Sequence, residues 1–465
     1  MKPLAEVLSG DLLSSGIFPG LDGVAGALWR DGKNVNFDNG GVRKAYGMLG
    51  LENLAARPTG IVSTLADSEA RAFIGAGTKA YRYRPSDGLT DIGTFAAMGG
   101  TYQFVPWDTW ALISNGVDPL ELWKNTGSSA PITAPFTRAN TIFKYHIRGF
   151  AGGTDNGGNI VEWSNANDID ADWTPTLLNS AGNLRLRELE GDILAAKPIG
   201  RSIGIYGSVN AGLFSYIGGT PVYGFSKPIR GVSAISPHSI IGMGDRHFGI
   251  TRDNAFVTDL VSSQLIDEPA VRKWIKDNAD WSRASETYGW ADWANNIARW
   301  SIPLNGGLTQ GIGYRVDKGT WTRFDDAVVI GEESGPFANA LHLKSARLLR
   351  LDKSSPNNDG GAFSAYVQSK PMDLGERNMN KKISLINIDG TWSGNARFSL
   401  GYSDTPGGTI DWALDQALAT SVFPDQYGIK NEAPFLHMKF YSDAVDANWA
   451  ISGGKIYGEF TGYVS

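Results

Sequence analysis

Short apolar runs, nearly alternating and closed by Gly, Asn, Asp or Pro, recur in pairs along this chain. No other feature limits its fold as much. Ala72-Phe73-Ile74-Gly75-Ala76-Gly77 is followed by Ala80-Tyr81-Arg82-Tyr83, and Trp110–Ser114 by Leu120–Trp123. Each pair reads as two strands joined by a tight turn, since Gly and Asn accept the positive φ that hairpin turns require. Asn115-Gly116-Val117-Asp118-Pro119 is among the strongest of these turn signals. Similar units occur at Arg148–Gly153 with Asn159–Trp163, Ser202–Tyr206 with Gly212–Tyr216, His247–Thr251 with Ala255–Thr258, and Ile297–Ile302 with Gly311–Tyr314. Their spacing of roughly 40–50 residues matches a four-stranded propeller blade. No strict WD or kelch signature accompanies the repeat, so a long β-sandwich array is the competing architecture. The expected class is all-β: a β-propeller with an additional β-sandwich or platform domain.

Three segments follow. Residues 1–56 contain a hairpin, Lys33–Phe37 and Val42–Tyr46 around Asp38-Asn39-Gly40-Gly41, and are expected to join the platform. Residues 57–350 hold the repeats. The polar run Ser354–Gly361 looks like a linker or exposed loop, so 351–465 form a C-terminal domain. There Ala362–Gln368, Ile383–Ile388, Ala396–Tyr402, Leu436–Tyr441 and Lys455–Phe460 alternate well enough for a sandwich, while Asp411–Leu418 reads as a short helix or an arm. Within the repeats, Asp267-Glu268-Pro269 opens a helix whose apolar residues Val271, Trp274 and Ile275 fall at i, i+3, i+4. It should end before Tyr288-Gly289 and pack outside a blade or meet a partner.

Composition removes several function classes. With 19% charged and 42% hydrophobic residues the chain is too apolar for disorder. It has no Cys, which excludes a disulfide scaffold, Cys-ligated metal and a thiol nucleophile. The net charge is −6, from 42 basic and 48 acidic residues. A protein that grips nucleic acid by its phosphates shows a basic excess or a basic face. The densest basic stretch, Lys370–Lys382, also carries Asp373 and Glu376. No apolar run approaches the ~20 residues of a membrane helix. Glu6 and Asp11 interrupt the N-terminus where a signal peptide needs an apolar core, and no Asn-x-Ser/Thr sequon occurs. The expectation is cytoplasmic synthesis without a cleaved signal.

Chemistry is hard to find. The five histidines, His146, His238, His247, His342 and His437, lie at least nine residues apart, so none forms a zincin pair. There is no G-x-S-x-G elbow and no Walker A motif. Arg315-Val316-Asp317-Lys318-Gly319-Thr320-Trp321 approaches the sialidase Asp box, Ser-x-Asp-x-Gly-x-Thr-Trp, but lacks the Ser and is one residue short. Glycoside hydrolysis needs two carboxylates facing across a pocket. Asp168, Asp170, Asp172, Asp245, Asp325, Asp326, Glu332 and Glu333 supply acid, yet each is placed more simply in a turn or on a solvated face. Trp163, Trp300 and Trp321 begin or end strands and are expected in the core. No catalytic, cofactor or metal residue is therefore assigned, and the chain is not expected to be an enzyme.

The order of several short motifs is more telling. Trp29-Arg30-Asp31-Gly32-Lys33-Asn34-Val35-Asn36-Phe37, then Asn39-Gly40-Gly41-Val42-Arg43-Lys44 and Tyr46-Gly47, resembles the opening hairpin of tail proteins of short-tailed phages. Val161-Glu162-Trp163-Ser164 leading to Asp168 and Asp172-Trp173-Thr174 is similar to one of their blades. So is His247-Phe248-Gly249-Ile250-Thr251-Arg252-Asp253-Asn254-Ala255-Phe256 with the following Val271-Arg272-Lys273-Trp274-Ile275, although Asn254 stands where the family has Gly. Ile297–Pro303 with Ile312-Gly313-Tyr314-Arg315 and Gly319-Thr320-Trp321 resembles a further blade, and Trp449–Ile456 with Gly458 the closing strand pair.

The family is the tail nozzle protein of podoviruses, also called tail-tube protein B or packaged-DNA-stabilisation protein. The resemblance implies a homohexameric ring of propellers below the tail adaptor, enclosing the DNA exit channel and retaining the genome until ejection. It implies a virion location after assembly in the host cytoplasm, with a tail adaptor ring and sometimes fibres or a needle as partners. Genomic DNA would pass without specific binding. Net negative charge suits such a conduit, because a basic lining would hold the phosphates. The channel gate is not readable, and naming His247–Phe248 or Glu332–Glu333 would be a guess. The alternative classes are a tail-associated carbohydrate-binding or depolymerising β-propeller and a bacterial propeller that binds a protein partner.

Overall fold

The computed structural model describes residues 2–13, 16–17, 28–38, 40–96, 100–219, 222–267, 269–324, 330–331, 335–418 and 432–463. The chain forms two compact units. The first comprises Met1–Leu49, Ile312–Asp325 and Leu351–Ser465, the second Gly50–Gly311 and Asp326–Arg350.

The sheets between Gly47 and Asp352, most of them in the second unit, form a β-propeller. Its first blade pairs Pro58–Ala66, Glu69–Ala76, Lys79–Arg84 and Gly88–Thr94 in sequence order, each strand antiparallel to the last. Among the described residues this pattern gives seven sheets, with innermost strands Pro58–Ala66, Gln103–Trp107, Ala139–Tyr145, Ile193–Ile199, Ile240–Met243, Tyr288–Asp292 and Ile330–Gly331. Each inner strand packs against the next, and Ile330–Gly331 meets Pro58–Ala66, so the ring closes at seven blades. The hairpins read from the sequence are the second and third strands of blades 1 to 6. Blade 7 combines Ile330–Gly331, Leu341–Lys344 and Arg347–Asp352 with Gly47–Asn53, which precedes blade 1 in the chain. Leu54 N–H donates to Ala346 O at 2.7 Å beside this closure. A fourth strand borrowed from the other end of the segment ties the ring together, since radial repetition leaves no other covalent link between first and last blades.

Blades adhere through aromatic and aliphatic seams. Between blades 1 and 2, Phe73, Phe95, Tyr102, Phe104, Ile113 and Trp123 share one buried cluster. Phe73 lies 6.0 Å from Phe104 and 5.8 Å from Trp123, centroid to centroid. Gly75 is required there: a Cβ on it would stand 2.0 Å from Tyr102 Cγ. We predict that Gly75→Ala forces the ring out of the seam and costs about 1–3 kcal/mol. Urea unfolding at neutral pH measures this, and an unchanged midpoint would show that Tyr102 is not held as described.

The helix expected after Asp267 runs over Pro269–Asn278 and continues as a 3-10 turn, Trp281–Glu286. Val271 and Ile275 are buried, with Trp274 partly so. Its end docks on the end of blade 6's second strand, where Asp280 N–H donates to Pro303 O at 2.9 Å and Asn305 N–H to Asn278 O at 2.9 Å. Asp267 stands just outside the helix and accepts from Arg272 Nε at 2.6 Å.

The first unit contains a β-sandwich. One sheet has the order Val35–Asp38, Gly41–Lys44, Asn448–Tyr463, Met379–Ser393, Glu432–Ala433, with Lys2–Leu8 also pairing Asn448–Tyr463. The other runs Trp29–Lys33, Ala365–Ser369, Phe435–Ser442, Arg397–Ser403, Asp411–Ala417. Both contribute to one core that includes Trp29, Phe37, Val367, Ile386, Phe398, Leu400, Phe440 and Trp449. Asp411–Ala417 is thus an edge strand rather than the expected helix or arm. Its Ala, Leu and Gln favour helix, but pairing with Arg397–Ser403 overrides so weak a preference.

The Lys370–Lys382 stretch is no basic face. Lys370 and Lys381 are buried, and the Lys381 ammonium donates to the carbonyls of Glu376, Met379 and Pro434. Lys44 is buried likewise, donating to Ala447 O at 2.7 Å, and burial pushes it down to about 8.

Candidate functional site

The inner strands of the propeller bond to one another through side chains aimed at neighbouring backbones. Thr59 Oγ1 donates to Gly100 O at 2.9 Å, Gln103 Nε2 to Asn140 O at 2.7 Å, and Asn140 Nδ2 to Ile193 O at 3.0 Å. Farther round, Ser236 Oγ donates to Thr287 O at 2.6 Å. Such bonds satisfy backbone groups that inner strands leave open at their edges, and they fix the spacing of the blades.

Two contacts reach farther. His238, entering blade 5, donates from Nε2 to Tyr102 O of blade 2 at 2.9 Å. The Tyr288 hydroxyl of blade 6 donates to Ile61 O of blade 1 at 3.1 Å. The His238 and Tyr288 rings stack with centroids 4.2 Å apart. Blades 2 and 5 are three apart in a ring of seven, so side chains span the middle of the ring here.

Beside this crossing lies a cavity of about 330 Å³. Four blade entries form it: Ala56–Thr59 before and in blade 1, Thr101 before blade 2, Ser285–Tyr288 at blade 6 and Ile330 at blade 7. On its wall Arg57 meets Glu286 at 2.9 Å, while Arg283 holds both oxygens of Glu286 at 2.7 and 2.8 Å. The Arg283 hydrogen bond, aided by Arg57, keeps the Glu286 carboxyl below its ordinary range.

The five histidines do not converge. Of the described residues, no group of three or more His, Asp or Glu could hold a metal. His247 is fully buried and fully bonded: Nε2–H donates to Pro198 O at 2.8 Å, so Nδ1 accepts from the Tyr206 hydroxyl at 2.7 Å. His342 is buried near the Asp292–Arg299 ion pair, and neither ring nitrogen has a hydrogen-bond partner among the described residues. His437 contacts Ser403 Oγ at 2.8 Å. His146 takes a left-handed turn, φ 52°, between two strands of blade 3. His247 and Phe248 lie on the strand Arg246–Ile250, as read for the hairpin, and are core residues at 0% and 2% exposure.

Three of the carboxylates weighed above have structural work. Asp168 accepts from the N–H groups of Asp170 and Ala171, Asp172 from that of Thr174, and Asp170 pairs with Lys124 at 2.5 Å. Asp245 is exposed in a turn. Asp325, Asp326, Glu332 and Glu333 lie outside the described residues. Trp163, Trp300 and Trp321 are buried, as read. The Asp-box likeness is a turn, with Gly319 N–H donating to Arg315 O at 2.9 Å and Arg315 paired to Asp317. A buried acid that the sequence reading did not single out, Glu162, accepts from Thr154 Oγ1 and Asn156 Nδ2 at 2.9 Å each, and burial raises it above the ordinary range. It ties blade 3 together internally.

No family model matches the chain, and no curated protein matches it. Among solved structures, the chain is similar to BBS1N in complex with ARL6DN, at 11% identity and TM-score 0.43, covering 66% of this chain and 98% of that one. It is similar also to a chain of the mitotic checkpoint complex, at 6% identity and TM-score 0.41, covering 64% and 93%.

Proposed function

We propose that this chain is a tail nozzle subunit of a short-tailed phage, a non-enzymatic virion protein. Six copies form a ring below the tail adaptor, enclose the DNA exit channel, retain the packaged genome and open for ejection. The observation that carries this reading is the chain's layout. A propeller is inserted into a sandwich whose strands come from both ends, with the hairpin Val35–Lys44 sharing a sheet with Asn448–Tyr463. These two segments carry the first and last of the collinear motifs that resemble the family. A net charge of −6 supports a conduit that lets DNA slide. Asp168, Asp170 and Asp172, occupied in turns and an ion pair, support a structural rather than a hydrolytic role.

Native mass spectrometry of the purified chain tests the proposal. Six copies of 50.0 kDa give about 300 kDa, a closed cyclic assembly. A stable monomer or trimer that releases sugar from bacterial polysaccharide would replace the nozzle with the depolymerase reading.

A further inference from the structure

The cavity at the blade entries is not used by any of the roles above, yet its chemistry is selective. Its volume of about 330 Å³ sits at the small end of the ~300–1,000 Å³ typical of ligand pockets. Ala56, Pro58, Ile330 and the Tyr288 ring give it apolar walls. Its lining carries one cation and one anion, Arg57 and Glu286, and a second guanidinium outside the lining, Arg283, also pairs with Glu286. Arg283 already engages both oxygens of that carboxylate, so Glu286 needs little more from Arg57. Arg57 has a further, long contact to Thr309 Oγ1 at 3.4 Å, and 44% of its side chain remains exposed. A guanidinium presents five N–H donors in a planar fork that fits a carboxylate, and its value rises beside apolar surface.

We infer that this cavity binds a carboxylate carrying a short branched aliphatic group. The aliphatic part fills the space between Pro58, Tyr288 and Ile330, and the carboxylate takes the free donors of Arg57. A peptide's C-terminal leucine or valine and a free branched-chain acid share this chemistry. The cavity lies wholly in the propeller unit and does not depend on the nozzle reading.

Ligand-observed NMR on the full chain tests the inference with N-acetyl-glycyl-leucine, 4-methylpentanoate and N-acetyl-leucinamide. Both acids should bind at least tenfold more tightly than the amide. Stronger binding of the peptide identifies a C-terminus as the source, and stronger binding of 4-methylpentanoate identifies a free acid. Arg57→Met keeps the bulk of the side chain and should abolish the preference for acid over amide. Ser285→Trp, at an exposed position on the cavity rim, should block all three ligands with Arg57 intact. No binding of either acid, equal binding of the amide, or acid binding that survives both substitutions would overturn the assignment.

Discussion

Acidification from pH 7 to pH 4 should unfold the propeller, through histidines that the fold keeps neutral. His247 and His342 are each pushed down to about 4, chiefly by burial, and Arg299 pushes His342 further. In the unfolded chain both titrate near 6.5. Between those values the unfolded state binds protons that the folded state refuses, so stability falls as pH falls through 6.5 and is spent near 4. Each histidine contributes about 3 kcal/mol over this range, comparable together with half the stability of an ordinary domain. Half-buried His238, pushed down to about 3, acts in the same direction. Glu121 and Glu162, raised by burial, act oppositely and soften the loss. Urea unfolding followed by tryptophan fluorescence at pH 7, 6, 5 and 4.5 measures the slope. His342→Phe removes an imidazole that has no hydrogen bond among the described residues and should flatten that slope by about one proton. Stability independent of pH across this range would contradict the account.

The second large effect lies at Trp300. Its side chain is fully buried in blade 6, and Nε1 donates to Ser239 O of blade 5 at 3.0 Å. It packs on Gly289, where a Cβ would stand 2.9 Å from Trp300 Cδ1. Trp300→Ala should cost about 3–5 kcal/mol, from lost burial and the cavity left behind. Trp300→Phe keeps most of the ring but strands the Ser239 carbonyl, at about 1–3 kcal/mol. Denaturant midpoints of the two variants at pH 7 should keep that order. Equal midpoints would mean that the hydrogen bond, which both variants lose, and not packing, joins blades 5 and 6.

These residues also show what a sequence reveals of such a fold. Six hairpins were legible because each is local: alternation and turn residues lie within about 20 residues of one another. Blade 7 was not. Its hairpin Leu341–Lys344 with Arg347–Asp352 is short, its inner strand is two residues, and its fourth strand, Gly47–Asn53, lies some 290 residues away. Most of the sandwich strands were legible by alternation, but Lys2–Leu8, Trp29–Lys33 and Glu432–Ala433 were not read, and Asp411–Ala417 was read otherwise because its exposed edge positions carry helix-favouring residues. The run Lys370–Lys382, discounted as a basic face because of Asp373 and Glu376, shows another limit. Sequence shows charge but not that Lys381 is enclosed by three carbonyls. His247 is buried and bonded to Pro198 and Tyr206 of blade 4, partners some 40–50 residues away that no local pattern announces. The cavity beside Arg57 could not be read at all, since it is assembled from four blade entries with ordinary residue types and no spacing signature.

The central claim concerns how copies of this chain assemble, and a three-dimensional electron-microscopy reconstruction of the purified protein tests it most directly. The account predicts a sixfold ring of propellers with an open axial channel that passes duplex DNA. Isolated seven-bladed particles, or an assembly without an axial channel, would contradict it.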